Sequence, residues 1–282
     1  MSLADRIESI VNRRPTAVKT LHGGMIGDVY RVDLDDGTRL AIKVSGEEGK
    51  LDIEGYMLRY LRENSCLPVP EVLHAEPSLL VMTCLPGSSS LSADVQNHAA
   101  DLLADLHAVS GGHFGLERDT LIGSLHQPNP QTDAWIPFFR DHRLLYMAQV
   151  AHESGRLSPA LFERIRHFTT ALERWLVEPP HASLIHGDLW TTNILAQNGR
   201  VTGFIDPAIY YAHPEIELAY TTLFGTFGDP FFRRYTELRP IAPGFFEERR
   251  DIYNLYPLLV HVRLFGGSYA ASVGHILTRF GY

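Results

Sequence analysis

Cysteine is scarce in this sequence: Cys66 and Cys84 are the only two among 282 residues. Two cysteines cannot build a disulfide framework, although they could form one bridge, and such scarcity is typical of a reducing compartment. Residues 1–6 lack a long apolar core behind a basic start, so we expect no signal peptide. The uncharged stretch at 264–278 is too short to span a bilayer. These absences predict a cytoplasmic protein without a membrane partner.

The sequence also has no excess of positive charge. Lys and Arg number 25 against 33 Asp and Glu, which gives a formal net charge of −8. Such a balance provides no general attraction to a nucleic-acid backbone or to an anionic membrane, so we expect neither as a partner. Hydrophobic residues make up 45% of the chain, enough for a sizeable core. The length favours two domains, or one domain of two lobes.

The first third of the chain predicts a sheet with one helix. Asp35-Asp36-Gly37 is a hairpin signal, because Asp and Gly tolerate the positive φ of a tight turn. Apolar residues in the following stretch recur at a helical spacing and then stop at Pro68. The predicted elements are strand segments within 18–34 and at 39–44, a helix at 52–64, and strands at 72–75 and 79–83.

After the short connector at 86–90 the periodicity is mostly helical. The stretch at 184–206 is different, because short apolar runs alternate there with polar loops, which predicts a small β-hairpin region. The predicted helices are 95–109, 132–150, 159–177 and 251–265.

The segment His186-Gly187-Asp188-Leu189-Trp190-Thr191-Thr192-Asn193, followed by Asp206, is the strongest chemical signal. A His-Gly-Asp tripeptide alone could be an ordinary turn. Together with an amide five residues later and a second carboxylate beyond a hairpin, it provides the hard oxygen ligands that Mg²⁺ prefers. Phosphoryl transfer needs a positioned proton acceptor and metal neutralisation of phosphate charge. We assign Asp188 to the first task, and Asn193 and Asp206 to the metal.

The N-terminal third offers an independent test of a kinase reading. A kinase-like lobe needs a Gly-rich turn over the phosphates and a lysine on a later strand. Gly24 and Gly27, with neighbouring Gly23, fit the turn, and Lys43 in Leu40-Ala41-Ile42-Lys43 fits the phosphate-contacting cation. Glu54 lies on the predicted helix and could pair with Lys43. Each feature alone is common; their order and spacing before Asp188 favour an ATP site.

The residues Thr83, Cys84 and Leu85 join the last predicted strand of this lobe to the connector. In a two-lobed kinase this segment is the hinge, whose backbone groups would bind the adenine edge. An ordinary linker is the alternative, and the hinge interpretation depends on the assignment of the lobes.

At this point the sequence resembles the fructosamine (ketosamine) 3-kinases, members of the aminoglycoside-phosphotransferase and protein-kinase-like superfamily. The resemblance is carried by the His-Gly-Asp-Leu-Trp segment, by Asp206-Pro207-Ala208 and by Tyr210 to Ala219, and it extends over nearly the whole chain. It implies an α+β, bilobal protein-kinase-like fold that uses ATP and Mg²⁺. We therefore expect an ATP-binding N-terminal antiparallel sheet lobe with one helix at 1–85 and a larger, mainly helical, catalytic and acceptor-binding lobe at 86–282.

The resemblance also implies a reaction and its site. The expected substrate is a small-molecule ketosamine or glycated amine, whose 3-hydroxyl is phosphorylated, after which the sugar is lost and the amine is deglycated. Asp188, Asn193, Asp206, Lys43 and the hinge keep the roles given above. Trp190 could form an apolar wall for the sugar or belong to the core. Glu217 could meet a cationic substrate or support the catalytic loop.

Two other functions compete with this one. The same fold could phosphorylate another hydroxyl acceptor, such as an aminoglycoside or a choline-like alcohol. The chain could also be a non-enzymatic nucleotide-binding module. This alternative is disfavoured because all five polar residues of the predicted site are present, namely Lys43, Glu54, Asp188, Asn193 and Asp206. A protein-kinase role is disfavoured because no Ala-Pro-Glu segment or long activation loop follows Asp206.

Overall fold

The computed structural model describes residues 2–21, 28–46 and 48–282 of the chain. The Gly-rich turn with Gly23, Gly24 and Gly27 lies outside the described residues. The described residues among the first 85 form two helices and a five-stranded antiparallel sheet in the order β1-β2-β3-β5-β4. These elements are α1 Leu3–Val11, β1 Pro15–Leu21, β2 Asp28–Leu34, β3 Arg39–Val44, α2 Leu51–Asn64, β4 Val72–Glu76 and β5 Leu79–Thr83.

The sheet is covered by one helix on each face, because its strands are apolar on both sides. Leu40 and Ile42 of β3 pack with Ile7 of α1 in one buried cluster. Side chains alternate along a strand, so Lys43 lies on the opposite face, where α2 packs. The predicted helix is confirmed, whereas α1 was not predicted. Its Ser2 cap accepts from the Asp5 N–H in a capping box, which is the signal that the sequence analysis missed.

The larger part of the chain is mainly helical, as expected, with short β-segments. A strand at 182–185 and a hairpin at 194–204 flank the segment that carries the predicted chemistry. The helices are α3 Ala93–Ala108, α4 Trp135–Phe139, α5 Tyr146–Glu153, α6 Pro159–Thr169, α7 Glu215–Leu223, α8 Asp229–Leu238, α9 Arg250–Phe265 and α10 Ser268–Arg279. The strands are β6 Ser110–Gly111, β7 Thr120–Ile122, β8 Leu125–Gln127, β9 Ala182–Ile185, β10 Ile194–Gln197, β11 Arg200–Phe204 and β12 Tyr210–Ala212.

Two predicted helices have different bounds, for identifiable reasons. The helix expected from residue 132 begins at Trp135, where the Glu178 carboxylate accepts the first backbone N–H groups of α4, and a π-helical turn then joins α4 to α5. The helix expected to reach residue 177 ends at Thr169. The Thr169 and Thr170 hydroxyls each donate to a carbonyl three residues earlier and compete with the helical pattern.

The segment at 84–90 connects the sheet region to the helical region, and it lies against the β10–β11 hairpin. Ser88 pairs with Ala196 of β10 as an isolated bridge. The Leu85 side chain occupies the space above Gly203 of β11, where an added Cβ would lie 2.0 Å from Leu85 Cδ1. This contact fixes the connector relative to the hairpin. The division of the chain at residue 85 stays a prediction.

No helix in the described part of the chain is both long and apolar enough to cross a membrane.

Candidate active site

The β10–β11 hairpin brings the two predicted metal ligands to the same end. Asn193 immediately precedes β10, and Asp206 follows β11 by two residues. The Ile205 N–H donates to the Asn193 carbonyl at 3.0 Å and extends the antiparallel pairing to this end. Asp206 has a φ of +56°, a left-handed conformation that Asp tolerates better than most residues. The sequence pattern therefore places an amide and a carboxylate side by side.

The loop with the predicted proton acceptor follows β9 and contacts the segment after Asp206. The Ala208 N–H donates to the His186 carbonyl at 2.7 Å. Gly187 has a φ of +84°, and a Cβ at this position would lie 2.0 Å from the Ala208 carbonyl oxygen. Only glycine permits this approach. The glycine of the His-Gly-Asp motif is thus a requirement of packing between two loops.

Glu217 of α7 holds the same loop from behind. Its carboxylate is only 2% exposed and accepts the Gly187 N–H at 2.7 Å and the His186 N–H at 3.2 Å. Burial raises the pKa of Glu217, but hydrogen bonds from His107 and the loop outweigh it and leave the pKa lowered. Because all these bonds are internal, the geometry favours loop support for Glu217 over the alternative, contact with a cationic substrate.

A buried chain of hydrogen bonds continues from Glu217 into the helical lobe. His107 Nε2 lies 2.9 Å from Glu217 Oε2, and His107 Nδ1 lies 2.7 Å from the Tyr235 hydroxyl. A carboxylate only accepts, so we assign Nε2 as the donor, which leaves Nδ1 to accept from Tyr235. The arrangement anchors the loop that carries Asp188 to α3 and α8.

Asp188 is held at both carboxylate oxygens. The Tyr220 hydroxyl donates to Oδ1 at 2.9 Å, and the Asn193 amide donates to Oδ2 at 3.1 Å and to the Asp188 carbonyl at 2.9 Å. Desolvation raises the pKa of Asp188 to about 7, and the nearby Asp206 adds to the increase, while the Tyr220 and Asn193 bonds oppose it. A carboxylate with this pKa is well matched to proton transfer near neutral pH.

Lys43 lies between two carboxylates, as the pairing with Glu54 predicted. Its Nζ lies 2.8 Å from Glu54 Oε1 and 2.5 Å from Asp206 Oδ1. Burial lowers the pKa of Lys43, but the two carboxylates outweigh burial and leave the pKa raised. Lys43 is therefore a fixed positive charge at the cleft, and Asp206 is the more exposed of its two partners.

Two adjoining pockets meet at Asp188 and Trp190. The first lies between the lobes and encloses about 980 Å³, open solvent included. Its walls include Lys43, Glu54, Asp188, Asn193 and Asp206. The second is lined mainly by apolar and aromatic side chains. We call the first the cleft and the second the acceptor pocket, the latter lined by Ile122, Gly123, Ile185, Gly187, Asp188, Trp190, Tyr210, Ile216, Glu217, Tyr220, Tyr256, Pro257, Val260, His261 and Leu264.

The donor set at the cleft fits magnesium better than zinc. Asn193 contributes an amide oxygen and Asp206 a carboxylate, and Mg²⁺ commonly takes one or two such ligands and completes its shell with water and phosphate. Among the residues that the structure describes, no group of three or more His, Cys, Asp and Glu side chains could hold a metal ion.

The predicted hinge has few free backbone donors. The Thr83 N–H donates to the Glu71 carbonyl at 2.9 Å, and the Cys84 N–H donates to the Arg39 carbonyl at 3.0 Å. Within the described part of the chain, Leu85 N–H has no such backbone acceptor. Of the three hinge residues, Leu85 is the one whose N–H has no acceptor in the described part of the chain, and none of the three is among the described residues that line the pocket of Lys43 and Asp206.

Sequence reasoning missed the residues that orient the loop, namely Tyr220, His107 and Tyr235. Tyr220 follows Glu217 by three residues on α7, so both lie on one face of that helix. The three-residue spacing of Glu217 and Tyr220 is a helical signal, but nothing local indicates which helix faces Asp188. His107 and Tyr235 are separated by 128 residues, and only the fold brings them together.

Known proteins similar to this chain match it over most of its length. The family model described as fructosamine kinase matches residues 3–280. A "probable ketoamine kinase" of Vibrio parahaemolyticus is 33% identical over 258 residues, which cover 88% of this chain and 87% of the relative. A chloroplastic protein-ribulosamine 3-kinase of Oryza sativa subsp. indica is 32% identical over 275 residues, which cover 93% of this chain and 78% of the relative.

Solved structures share the architecture. A protein assigned as a fructosamine-3-kinase from Thermobifida fusca superposes with a TM-score of 0.86 at 29% identity, with 99% of each chain covered. A thermostable mutant of aminoglycoside phosphotransferase APH(4)-Ia, solved with ADP and hygromycin B, superposes with a TM-score of 0.71 over 99% of this chain and 98% of that one. At 17% identity, this second likeness shows the kinase-like fold alone.

Proposed function

The chain belongs to the fructosamine kinase family, and from that premise we propose that it transfers the γ-phosphoryl group of ATP to the 3-hydroxyl of a ketosamine. The observation that carries this proposal is the position of Asp188, which lies where the charged cleft meets the acceptor pocket. A hydroxyl compound in the acceptor pocket and a triphosphate in the cleft would both reach this carboxylate. Loss of the sugar from the unstable 3-phosphate would then deglycate the amine.

In the proposed reaction, Asp188 accepts the proton of the O3 hydroxyl. The O3 oxygen forms a bond to the γ-phosphorus, the bond from that phosphorus to the β-γ bridging oxygen breaks, and ADP leaves with those electrons. The proton passes from Asp188 to solvent. Tyr220 and Asn193 hold the carboxylate so that no orientation has to be found during the reaction.

Lys43 and the hairpin residues receive the triphosphate. Glu54 keeps the Lys43 ammonium in the cleft. The ammonium can contact phosphate oxygens once the Asp206 carboxylate leaves it to bind a metal cation. Asn193 and Asp206 would hold Mg²⁺ by their side-chain oxygens. The ion would neutralise phosphate charge during transfer. The hinge at Thr83, Cys84 and Leu85 is proposed to bind the adenine edge, with Leu85 N–H as its donor.

Acceptors of high positive charge fit the acceptor pocket less well than a ketosamine does. Among the residues that the structure describes, its acidic lining residues are Asp188 and Glu217. Glu217 is occupied by His186, Gly187 and His107. A polycationic aminoglycoside would therefore meet a single carboxylate, the one assigned to proton transfer. A ketosamine carries one positive charge, at its amine, so it needs fewer acidic partners in this pocket than a polycation does.

An acceptor panel tests the proposal. The purified protein is incubated with ATP, Mg²⁺ and either a ribulosamine, a fructosamine, hygromycin B or choline, and ADP formation and sugar phosphate are measured. We expect turnover with a ketosamine, and turnover at least a hundredfold slower by Asp188→Asn. Turnover with hygromycin B or choline but with no ketosamine would contradict the proposed substrate class and support a kinase activity on another acceptor. ATP binding with no turnover of any acceptor would favour the non-enzymatic module.

A further inference from the structure

An aromatic cluster lies immediately outside the acceptor pocket. Phe224 contacts Trp190 and Tyr220, with ring centroids 6.0 and 6.1 Å apart, and both of these line the pocket. Phe265 is 49% exposed and Phe224 is 37% exposed, so both leave apolar ring surface in solvent. We define the aromatic rim as Phe224, His261, Phe265 and Tyr269.

His261 is the centre of the aromatic rim and the member that also lines the pocket. Its ring centroid lies 4.9 Å from Phe224, 4.9 Å from Tyr269 and 5.6 Å from Phe265. His261 Nδ1 lies 2.7 Å from the Pro257 carbonyl, which only accepts, so Nδ1 carries the proton. Burial lowers the pKa of His261 and favours the neutral ring. Its Nε2 then carries no proton and can accept a hydrogen bond.

These observations point to a site for an ammonium group with an apolar substituent. In a ketosamine the amine nitrogen is separated from O3 by only C1, C2 and C3, so the nitrogen must lie within the same pocket when O3 reaches Asp188. Within the described ranges 2–21, 28–46 and 48–282, the pocket offers that cation no free carboxylate beyond Asp188. Aromatic faces and a neutral imidazole nitrogen are the remaining groups that attract an alkylammonium ion.

We propose that the aromatic rim binds the amine half of the ketosamine and selects substrates whose nitrogen carries an aromatic or other apolar substituent. This inference rests on the proposed function. His261 Nε2 accepts from the secondary ammonium, and the N-substituent leaves the pocket over Phe224, Phe265 and Tyr269. Burial of exposed ring surface against that substituent supplies the selectivity, because an anionic substituent would gain nothing from it.

The test compares two synthetic ribulosamines that differ only in the N-substituent, 2-phenylethyl or 2-carboxyethyl. The readout is the ratio of their kcat/KM values, so that changes common to both substrates cancel. We expect the wild-type protein to favour the phenylethyl substrate by about tenfold. Phe265→Ala and Phe224→Ala are expected to lower this ratio at least threefold, mainly through KM of the phenylethyl substrate.

Two further variants separate selectivity from general damage. Phe246→Ala removes a comparably exposed ring, at 42%, that belongs to neither pocket, and it should keep the ratio. His261→Phe keeps the ring and loses the acceptor nitrogen, so it should lower kcat/KM for both substrates about tenfold with the ratio kept.

A wild-type ratio near one would overturn the inference while turnover of both substrates upheld the proposed function. An equal fall of the ratio in Phe265→Ala and Phe246→Ala would also overturn it. Turnover of neither ribulosamine would overturn the proposed function and the inference together.

Discussion

Removal of the Tyr220 hydroxyl should move the acidic limb of the pH profile upward. Asp188 must be ionised to accept a proton. Burial raises its pKa to about 7, and the hydrogen bond from Tyr220 acts against that increase. Tyr220→Phe deletes that bond, so the ionised form loses stabilisation and the pKa rises. Activity depends on the ionised form, which exists above the pKa, and therefore it is lost as the pH falls through this value.

The size of the shift follows from the energy of one hydrogen bond. A bond to a charged group contributes roughly 1.5–3 kcal/mol, and one pKa unit corresponds to about 1.4 kcal/mol. The bond from Asn193 remains, so we take the lower end and expect a shift of about one unit. The variant would then have about fivefold lower kcat/KM at pH 7 and approach the wild type near pH 9.

The assay is kcat/KM for a ribulosamine between pH 5.5 and 9.5, because this profile reports the pKa of the free enzyme. Tyr256→Phe is the matched control: it makes the same deletion in the same pocket, but its hydroxyl bonds Gln127 at 2.8 Å. Its acidic limb should stay in place. An unmoved limb in Tyr220→Phe, or one moved to lower pH, would refute the assignment of Asp188 as the base controlled by Tyr220.

Three other predictions concern the loops of the cleft. Asp188→Asn should lower kcat a hundredfold or more while ATP still binds, as seen by calorimetry; near-normal turnover would remove Asp188 from the base role. Asp206→Ala should weaken Mg²⁺-dependent ATP binding in the same assay, and unchanged affinity would count against the metal assignment. Gly187→Ala should destabilise the fold by ~2 kcal/mol or more in denaturant unfolding, because its Cβ would meet the Ala208 carbonyl. Gly37→Ala has the same positive φ and open space around it, so it should cost less; equal losses would show that the loop contact is not tight.

Local signals predicted much of the sheet lobe. The Asp35-Asp36-Gly37 turn joins β2 to β3 as expected. Lys43 and Glu54 pair because a strand and the following helix lie close in sequence, so their spacing limits where they can be. The Asn193 and Asp206 pair is similar, since a single short hairpin connects them.

Elements with weaker local signals were missed. In α10 the buried Val273 and Leu277 are four residues apart, but the surrounding Gly and Ser residues conceal that periodicity. The support of the catalytic loop was missed for a different reason: Tyr220 and Glu217 act through distant partners, and a sequence pattern does not state which helix faces which loop. Of the two roles considered for Glu217, its burial and its three donors favour loop support, and neither observation could be read from the sequence.

A structure of the protein with Mg²⁺, a non-hydrolysable ATP analogue and a ribulosamine tests the central claim most directly. The account predicts that the ribulosamine O3 lies within hydrogen-bond distance of the Asp188 carboxylate and faces the γ-phosphorus. It also predicts that Asn193 and Asp206 ligate the metal. A ribulosamine whose O3 points away from Asp188, or a metal held by other residues, would contradict it.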